Sequence, residues 1–313
     1  MLVIHELDGQ VNCRHTAVAL GFFDGLHLGH EAVIRRALSY EGDGICSCVF
    51  TFTMSGSHPK SKLGAGELLT EAQKEELLKS WGVRMMLCPE FDEFKEMSPA
   101  DYVKQVLVDL LHAKWVCCGY DFHFGKGAVA GPEELKELCA PYGISVEVVD
   151  AVEMEGRPIS STRIRTLLKE GQVEQANRLL GRAFGYNFKV TKGKQLGRTI
   201  DSPTINQCMP ANFVALKHGV YTSITKVEKG WLPSVTNVGL RPTVDQDPRV
   251  ISETYIYGYQ GNLYGKQVDV RLLHFLRPEK KYPSVKELKE QIQRDILASL
   301  PIAQEYIAKN NEK

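Results

Sequence analysis

Ten residues near the start of the chain hold its densest set of groups able to do chemistry: Gly21-Phe22-Phe23-Asp24-Gly25-Leu26-His27-Leu28-Gly29-His30. His27 and His30 are three apart, which puts both imidazoles on one side of a helix start. Free backbone amides and the helix dipole already favour an anion there. Two imidazole donors beside that end suit nucleotide phosphates and the charge that builds up as pyrophosphate leaves. Gly21, Gly25 and Gly29 permit tight backbone paths and close ligand approach, with Phe23 and Asp24 in the same turn. Out of context, the pair also reads as two incidental histidines in a glycine-rich turn. A strand before it and a helix after it favour the phosphate site.

Nucleotidyl transfer at such a site needs no protein nucleophile. The acceptor phosphate attacks the α-phosphorus directly, so positioning and charge stabilisation suffice. A second run, Ile159-Ser160-Ser161-Thr162-Arg163-Ile164-Arg165, supports the first. The hydroxyls of Ser160, Ser161 and Thr162 and the guanidiniums of Arg163 and Arg165 are donors suited to phosphate oxygens. Alone it would read as a helix N-cap.

The elements that must position these groups are legible from the apolar pattern. Runs at 16–21, 45–52, 84–89, 114–119 and 144–150 read as strands, with helices at 30–40, 70–81, 98–112 and from about 132. Thr70 with Gln73 forms a capping-box pattern, and Ser98 with Pro99 marks an N-cap and first helical position. Strands with little alternation, separated by helices, predict a parallel sheet covered on both faces. The expected fold is therefore α/β, doubly wound and Rossmann-like, with residues 21–30 at the strand end where such sheets bind ligands.

Beyond Ser160 come helical pieces at 161–170 and 173–180, ended by Gly171 and Gly181. From about 188 to 275 the runs are short and hairpin-like, predicting a small antiparallel β-barrel or sandwich. Ser284 with Glu287 caps a closing helix expected to run to about 300, where Pro301 interrupts it. The boundary falls near 181–185, giving domains 1–183 and 184–313.

Lysine plus arginine equal aspartate plus glutamate at 38 each, so no basic excess points to nucleic acid. The N-terminus has no signal-peptide pattern, and no apolar run is long enough to span a membrane. No nucleic-acid or membrane partner is expected, and the reading is cytoplasmic. The eight cysteines form no CxxC pair and read as buried reduced thiols. Trp81 and Trp115 read as core residues, and His5, His15, His112, His218 and His274 receive no role.

With GFFDGLHLGH and ISSTRIR in place, the chain resembles the prokaryotic bifunctional riboflavin kinase/FMN adenylyltransferase family, also called FAD synthetase. Residues 119–127, GYDFHFGKG, are similar to that family's GxDFxFG element, and residues 167–182 match the run into its second domain. The resemblance covers essentially the whole chain. It implies adenylyl transfer from ATP to FMN in the first half, catalysed by His27 and His30. Asp121, Phe122 and Phe124 would lie by the flavin. The second half would be a riboflavin kinase-like barrel using MgATP. Its landmarks are Gly193 and Gly197 for phosphate, Thr204 and Asn206 for Mg²⁺ and Asn237 and Arg241 for the flavin. Glu253 would be the general base. Partners are then ATP, riboflavin, FMN and FAD; the oligomeric state is left open.

The sequence departs from the family pattern in four places. Residues 51–59 alter the usual Phe-x-Pro-His-Pro run, though His58-Pro59 survives. Phe188 stands for a glycine and is expected to obstruct nucleotide or flavin. Asp201-Ser202 replaces Gly-Phe, and Ile205 replaces an alanine, adding bulk beside two proposed ligands. Two readings follow: an enzyme with both activities, or an FMN adenylyltransferase with a weak or silent kinase-like domain serving flavin binding or regulation. A flavin-binding protein without turnover has no need of pyrophosphate-stabilising groups.

Overall fold

The computed structural model describes residues 1–7, 11, 13–54, 66–192, 204–241 and 249–311. The chain divides into two compact units, Met1–Gly64 with Glu71–Ser160, and Ala65–Thr70 with Ser161–Lys313.

The first unit is built on six strands: β1 (Leu2–Ile4), β2 (His15–Leu20), β3 (Ile45–Phe50), β4 (Met85–Leu87), β5 (Ala113–Gly119) and β6 (Ser145–Val149). They lie in the order β1-β4-β3-β2-β5-β6, and every neighbouring pair is parallel. Helices α1 (Leu28–Leu38), α2 (Glu71–Ser80), α3 (Phe91–Phe94), α4 (Pro99–Asp101) and α5 (Pro132–Cys139) fill the connections. A small hairpin, β7 (Glu153–Met154) and β8 (Arg157–Pro158), follows the sheet. The central strand β2 is flanked by β3 on one side and β5 on the other, so the winding reverses there. This is the crevice where doubly wound sheets bind ligands. Val18, Leu20, Cys48, Phe50, Val116 and Cys118 are buried on one face of these three strands and Ala17, Ala19, Val49 and Cys117 on the other, as a sheet covered on both faces requires.

Three expectations for this unit are corrected. The helix at 98–112 begins as predicted, with the Ser98 side chain accepting from the Asp101 N–H. From Tyr102 to Leu110, however, it is π-helical. Cys13 and Cys46 are joined in a disulfide rather than reduced. The parallel pairing of Thr16 with Cys46 brings the chain before β2 alongside β3, with 6.2 Å between the two Cα atoms. Cys48, Cys88, Cys117, Cys118 and Cys139 are free and buried, and Cys208 is free and half-buried. Trp81 and Trp115 are half-buried, not core. Trp115 stacks on Tyr40 at 3.9 Å, and the Arg35 guanidinium lies 5.9 Å above Trp81. Periodicity also gave no sign of β1, whose three residues are too few to read.

The second unit opens with α6 (Ser161–Glu170) and α7 (Val173–Leu180), ended at Gly171 and Gly181, both with positive φ. Seven antiparallel strands follow: β9 (Phe184–Tyr186), β10 (Val190–Thr191), β11 (Thr204–Cys208), β12 (Gly219–Val227), β13 (Gly230–Arg241), β14 (Arg249–Ile256) and β15 (Val270–Arg277). The order is β10-β11-β14-β13-β12-β15-β9. The outermost strands, β9 and β10, are successive pieces of one chain segment, so the sheet returns toward itself as a half-barrel. One face buries a chain of hydroxyls running Thr225–Ser234–Ser223–Thr236–Thr254, with links of 2.7–2.9 Å.

The closing helix α8 runs Val285–Asn311 and passes through Pro301 without stopping, against expectation. Proline forfeits one backbone hydrogen bond inside a helix. The later turns compensate: Ala303 is fully buried against Ala183, Ile224 and Leu273, with Tyr306 and Ile307 packed on the same cluster. Tyr306 Oη also accepts the Ala183 N–H at 3.1 Å.

Candidate active sites

In the first unit, the chain leaves β2 at Gly21, whose N–H donates to the Phe50 carbonyl at 3.2 Å. Three residues with positive φ, Phe23 (50°), Gly25 (81°) and Leu26 (43°), turn it tightly into α1. Non-glycine residues rarely adopt that region, and such strain gathers where a site imposes it. Phe23 is buried, and a Cβ on Gly21 would lie 3.0 Å from its ring, so a larger residue there would have to shift that ring by a few tenths of an ångström. Asp24 is buried in the same turn.

His27 is the N-cap of α1: its Nδ1 accepts the His30 N–H at 3.2 Å. With Nδ1 committed as acceptor, the proton of the neutral ring sits on Nε2. The His27 and His30 rings stack at 3.6 Å and 18°, and Phe23 meets His30 edge-on at 5.4 Å. A Cβ on Gly29 would come within 3.2 Å of the His27 ring, so Gly29 is the residue that lets this ring lie flat on the helix start. The same Cβ would be 3.8 Å from the Ile159 carbonyl. Within this unit, then, the chain leading to Ser160 passes against the start of α1.

The loop 119–125 leaves β5 beside the loop 21–27, because Leu20 and Cys118 pair at the ends of their strands. Asp121 is exposed. Phe122 is half-buried and stacks on Phe124 at 5.7 Å. Phe124 itself is core: it is buried against Tyr102 and exchanges backbone hydrogen bonds with Ala130. Of the two aromatics expected near flavin, Phe122 is the one that is only half-buried.

Two neighbours escaped the sequence reading. Thr51 Oγ1 donates to the Phe22 carbonyl at 2.8 Å, and Lys74 Nζ lies 3.4 Å from both that carbonyl and Thr51 Oγ1. Lys74 stands among other charges on α2, where nothing local distinguishes it from a solvated face.

Ser161, Thr162, Arg163 and Arg165 form the first turns of α6 in the second unit. Arg165 Nε donates to the Gly66 carbonyl at 2.8 Å, and burial lowers its pKa.

The second unit gathers its own set. Asn206 on β11 pairs with Glu253 on β14, and Glu253 with Asn237 on β13. Residues directly opposite on antiparallel strands share a face, and alternate residues of one strand do too. Thr204, Asn206, Glu253 and Asn237 therefore form one patch. Glu253 is exposed, as a surface glutamate would be, whereas Asn206 is buried. The Asn206 side-chain oxygen has no hydrogen-bond partner among the described residues. A buried orphan oxygen is costly in isolation, and with the Thr204 hydroxyl it fits a hard cation.

Ile205 falls on the opposite face, packed with Val190, Val227, Ile256, Leu263 and Val268, so it does not crowd the two proposed ligands. Phe188 is buried between Tyr186 (5.3 Å, stacked) and Phe213 (5.0 Å, edge-on). Arg241 ends β13. Gly193, Gly197, Asp201, Ser202 and the His58-Pro59 pair lie outside the described residues.

A parallel sheet with an HxGH loop at its switch point, joined to an antiparallel half-barrel and final helix, is an HxGH nucleotidyltransferase coupled to a riboflavin-kinase-like domain. Family models bear this out: FAD synthetase matches residues 10–163 and riboflavin kinase residues 180–302. The chain belongs to the bifunctional riboflavin kinase/FMN adenylyltransferase family. It is 32% identical to the protein of that name from Pseudomonas fluorescens, over 93% of this chain and 94% of the relative. The Listeria monocytogenes protein of the same name is 33% identical, over 89% of each chain. A solved structure from Streptococcus pneumoniae, described as a macrolide-efflux protein, matches with a TM-score of 0.82 and 28% identity. It covers 95% of this chain and 98% of that one. Among the described residues no helix is long and apolar enough to cross a membrane.

Proposed function

We propose that residues 1–183 transfer AMP from ATP to FMN, and that residues 184–313 phosphorylate riboflavin with ATP to give that FMN. The observation that carries the first step is the stacked His27–His30 pair at the start of α1, where the sheet reverses. An oxygen of the FMN phosphate attacks the α-phosphorus of ATP, the α–β bridging bond breaks, and pyrophosphate leaves. His27 and His30 hydrogen-bond the phosphates and stabilise the charge that develops on the leaving group. Ser160, Ser161, Thr162, Arg163 and Arg165 supply further phosphate donors, as do the backbone amides around Gly21, Phe23, Asp24 and Gly29. Asp121, Phe122 and Phe124 form the flavin side.

In the second half, Glu253 accepts the proton of the ribityl hydroxyl whose oxygen attacks the γ-phosphorus, and ADP leaves. Thr204 and Asn206 would hold Mg²⁺, which when bound neutralises phosphate charge. Gly193 and Gly197 belong to the phosphate loop, and Asn237 and Arg241 to the flavin side. The positions of Ile205 and Phe188, both packed into the half-barrel, favour an active kinase over a silent one. Both steps consume ATP, in keeping with a cytoplasmic enzyme whose partners are nucleotides and flavins rather than nucleic acid or membrane. Incubation with MgATP and either FMN or riboflavin, followed by chromatography of the flavins, tests each half separately. FAD is expected from FMN, and FMN with FAD from riboflavin. No FAD in the first tube removes the adenylyl-transfer reading, and unchanged riboflavin in the second removes the kinase.

A further inference from the structure

Next to the Glu253 patch stands a second carboxylate that the reaction as written does not use. Glu279 follows β15, and its Oε1 accepts a hydrogen bond from Asn237 Nδ2 at 3.3 Å. Asn237 is the direct cross-strand neighbour of Glu253. Two residues on, Gly239 shares that face, and a Cβ there would overlap the Glu279 carboxylate, with even its farther oxygen at 3.0 Å. The glycine thus makes the space in which Glu279 reaches Asn237.

This contact has a consequence for the amide. An asparagine side chain offers one acceptor and one donor end, and only its partners decide which way each points. A carboxylate accepts and does not donate, so Glu279 takes the NH₂ end. The carbonyl Oδ1 is then the end of the Asn237 amide not committed to Glu279, on a residue that is the direct cross-strand neighbour of Glu253. A group that meets this oxygen must be a donor, as the hydroxyls of a polyol chain are.

Resting on the kinase reading above, we infer that Glu279 is a positioning residue. It fixes the Asn237 amide so that Oδ1 accepts from a hydroxyl of the ribityl chain, next to the hydroxyl that Glu253 deprotonates. An acceptor held ready for a hydroxyl favours a polyol over a chain lacking hydroxyls, and an amide already oriented loses less freedom on binding.

The test is riboflavin binding, followed by quenching of flavin fluorescence in the full-length protein with MgADP present, so that no turnover is needed. Glu279→Ala should weaken riboflavin binding about five- to tenfold, the worth of one ordinary, partly solvated hydrogen bond. Glu279→Gln keeps an acceptor oxygen for Asn237 Nδ2 and should bind riboflavin within about twofold of wild type, well short of the loss of that bond. Gly239→Ala leaves Glu279 in the sequence but displaces it, and should reproduce the alanine loss. Lumiflavin, which has the ring system without the ribityl chain, should bind all four proteins alike. Far-ultraviolet circular dichroism and the urea midpoint of the same preparations, with their lumiflavin binding, report that the half-barrel of each variant is folded. Wild-type riboflavin binding by both Glu279→Ala and Gly239→Ala overturns the inference, as does a Glu279→Gln loss equal to that of alanine. A wild-type chain that binds no riboflavin removes the kinase reading, and this inference with it.

Discussion

His27 Nδ1 caps α1 by accepting the His30 N–H, while the two imidazoles stack at 3.6 Å. One hydrogen bond therefore serves two ends: it starts the helix, and it leaves Nε2–H as the donor of the His27 ring. The two roles are separable by substitution. His27→Ala should remove both, lowering stability by about 1 kcal/mol through the lost cap. His27→Asn can still cap the helix and should unfold like wild type in urea. Both should lose FAD synthesis, because neither keeps the imidazole donor. An asparagine variant with normal FAD synthesis would contradict the assignment.

His30→Ala should cut FAD formation from FMN about 10²- to 10³-fold, the usual cost of one charge-stabilising donor. Formation of FMN from riboflavin should be untouched, since His30 belongs to the first unit and Glu253 to the second. Equal loss of both activities would show that the two sites are not independent.

Glu253→Gln makes the complementary case. The substitution keeps the size and hydrogen-bonding reach of the side chain but removes its basicity, so kcat for the kinase step should fall about 10²- to 10⁴-fold. Riboflavin KM should hardly change, and FMN should still be adenylylated. Unchanged FMN production would take Glu253 out of the mechanism.

Much of the site was legible because its signals are local. The run 21–30 declares itself through residue types at fixed spacing, and the strands around it through continuous apolar runs. What sequence did not reveal depends on partners distant along the chain. Lys74 reaches the Phe22 carbonyl across 52 positions, and Asn237 reaches Glu279 across 42. The helix through Pro301 failed for the same reason. A local rule stops a helix at proline, and only the burial of Ala303 against the half-barrel shows why this one continues. The Cys13–Cys46 bridge is likewise a product of strand register, not of cysteine spacing.

That bridge makes a countable prediction. Burial pushes the Cys48, Cys117, Cys118 and Cys139 thiols up to about 12, and Cys88 to about 11. The thiolate is the reactive form, so these five should resist a thiol reagent near neutral pH. In the native protein only the half-buried Cys208 should react quickly. Denaturation without reductant should expose six thiols, and denaturation with reductant eight. Eight thiols without reductant would show the bridge to be absent in solution.

Phe188 offers the sharpest test of whether the half-barrel has lost its kinase activity to substitution. If the ring blocked a ligand, restoring the family's glycine should raise FMN production. The packing argues the reverse. The ring lies between Tyr186 and Phe213, and the Phe188 carbonyl accepts hydrogen bonds from Gln207 Nε2 at 2.6 Å and the Val268 N–H at 3.2 Å. Removing the ring leaves a cavity in an aromatic cluster, at a cost of about 3–5 kcal/mol even for alanine, and glycine adds backbone freedom to the unfolded chain. Phe188→Gly should therefore unfold at markedly lower urea and make no more FMN per folded molecule than wild type. Phe188→Leu, which keeps most of the buried volume, should recover most of the stability. A glycine variant that folds normally and phosphorylates riboflavin faster would mean that the aromatic ring, and not the patch around Glu253, limits the reaction.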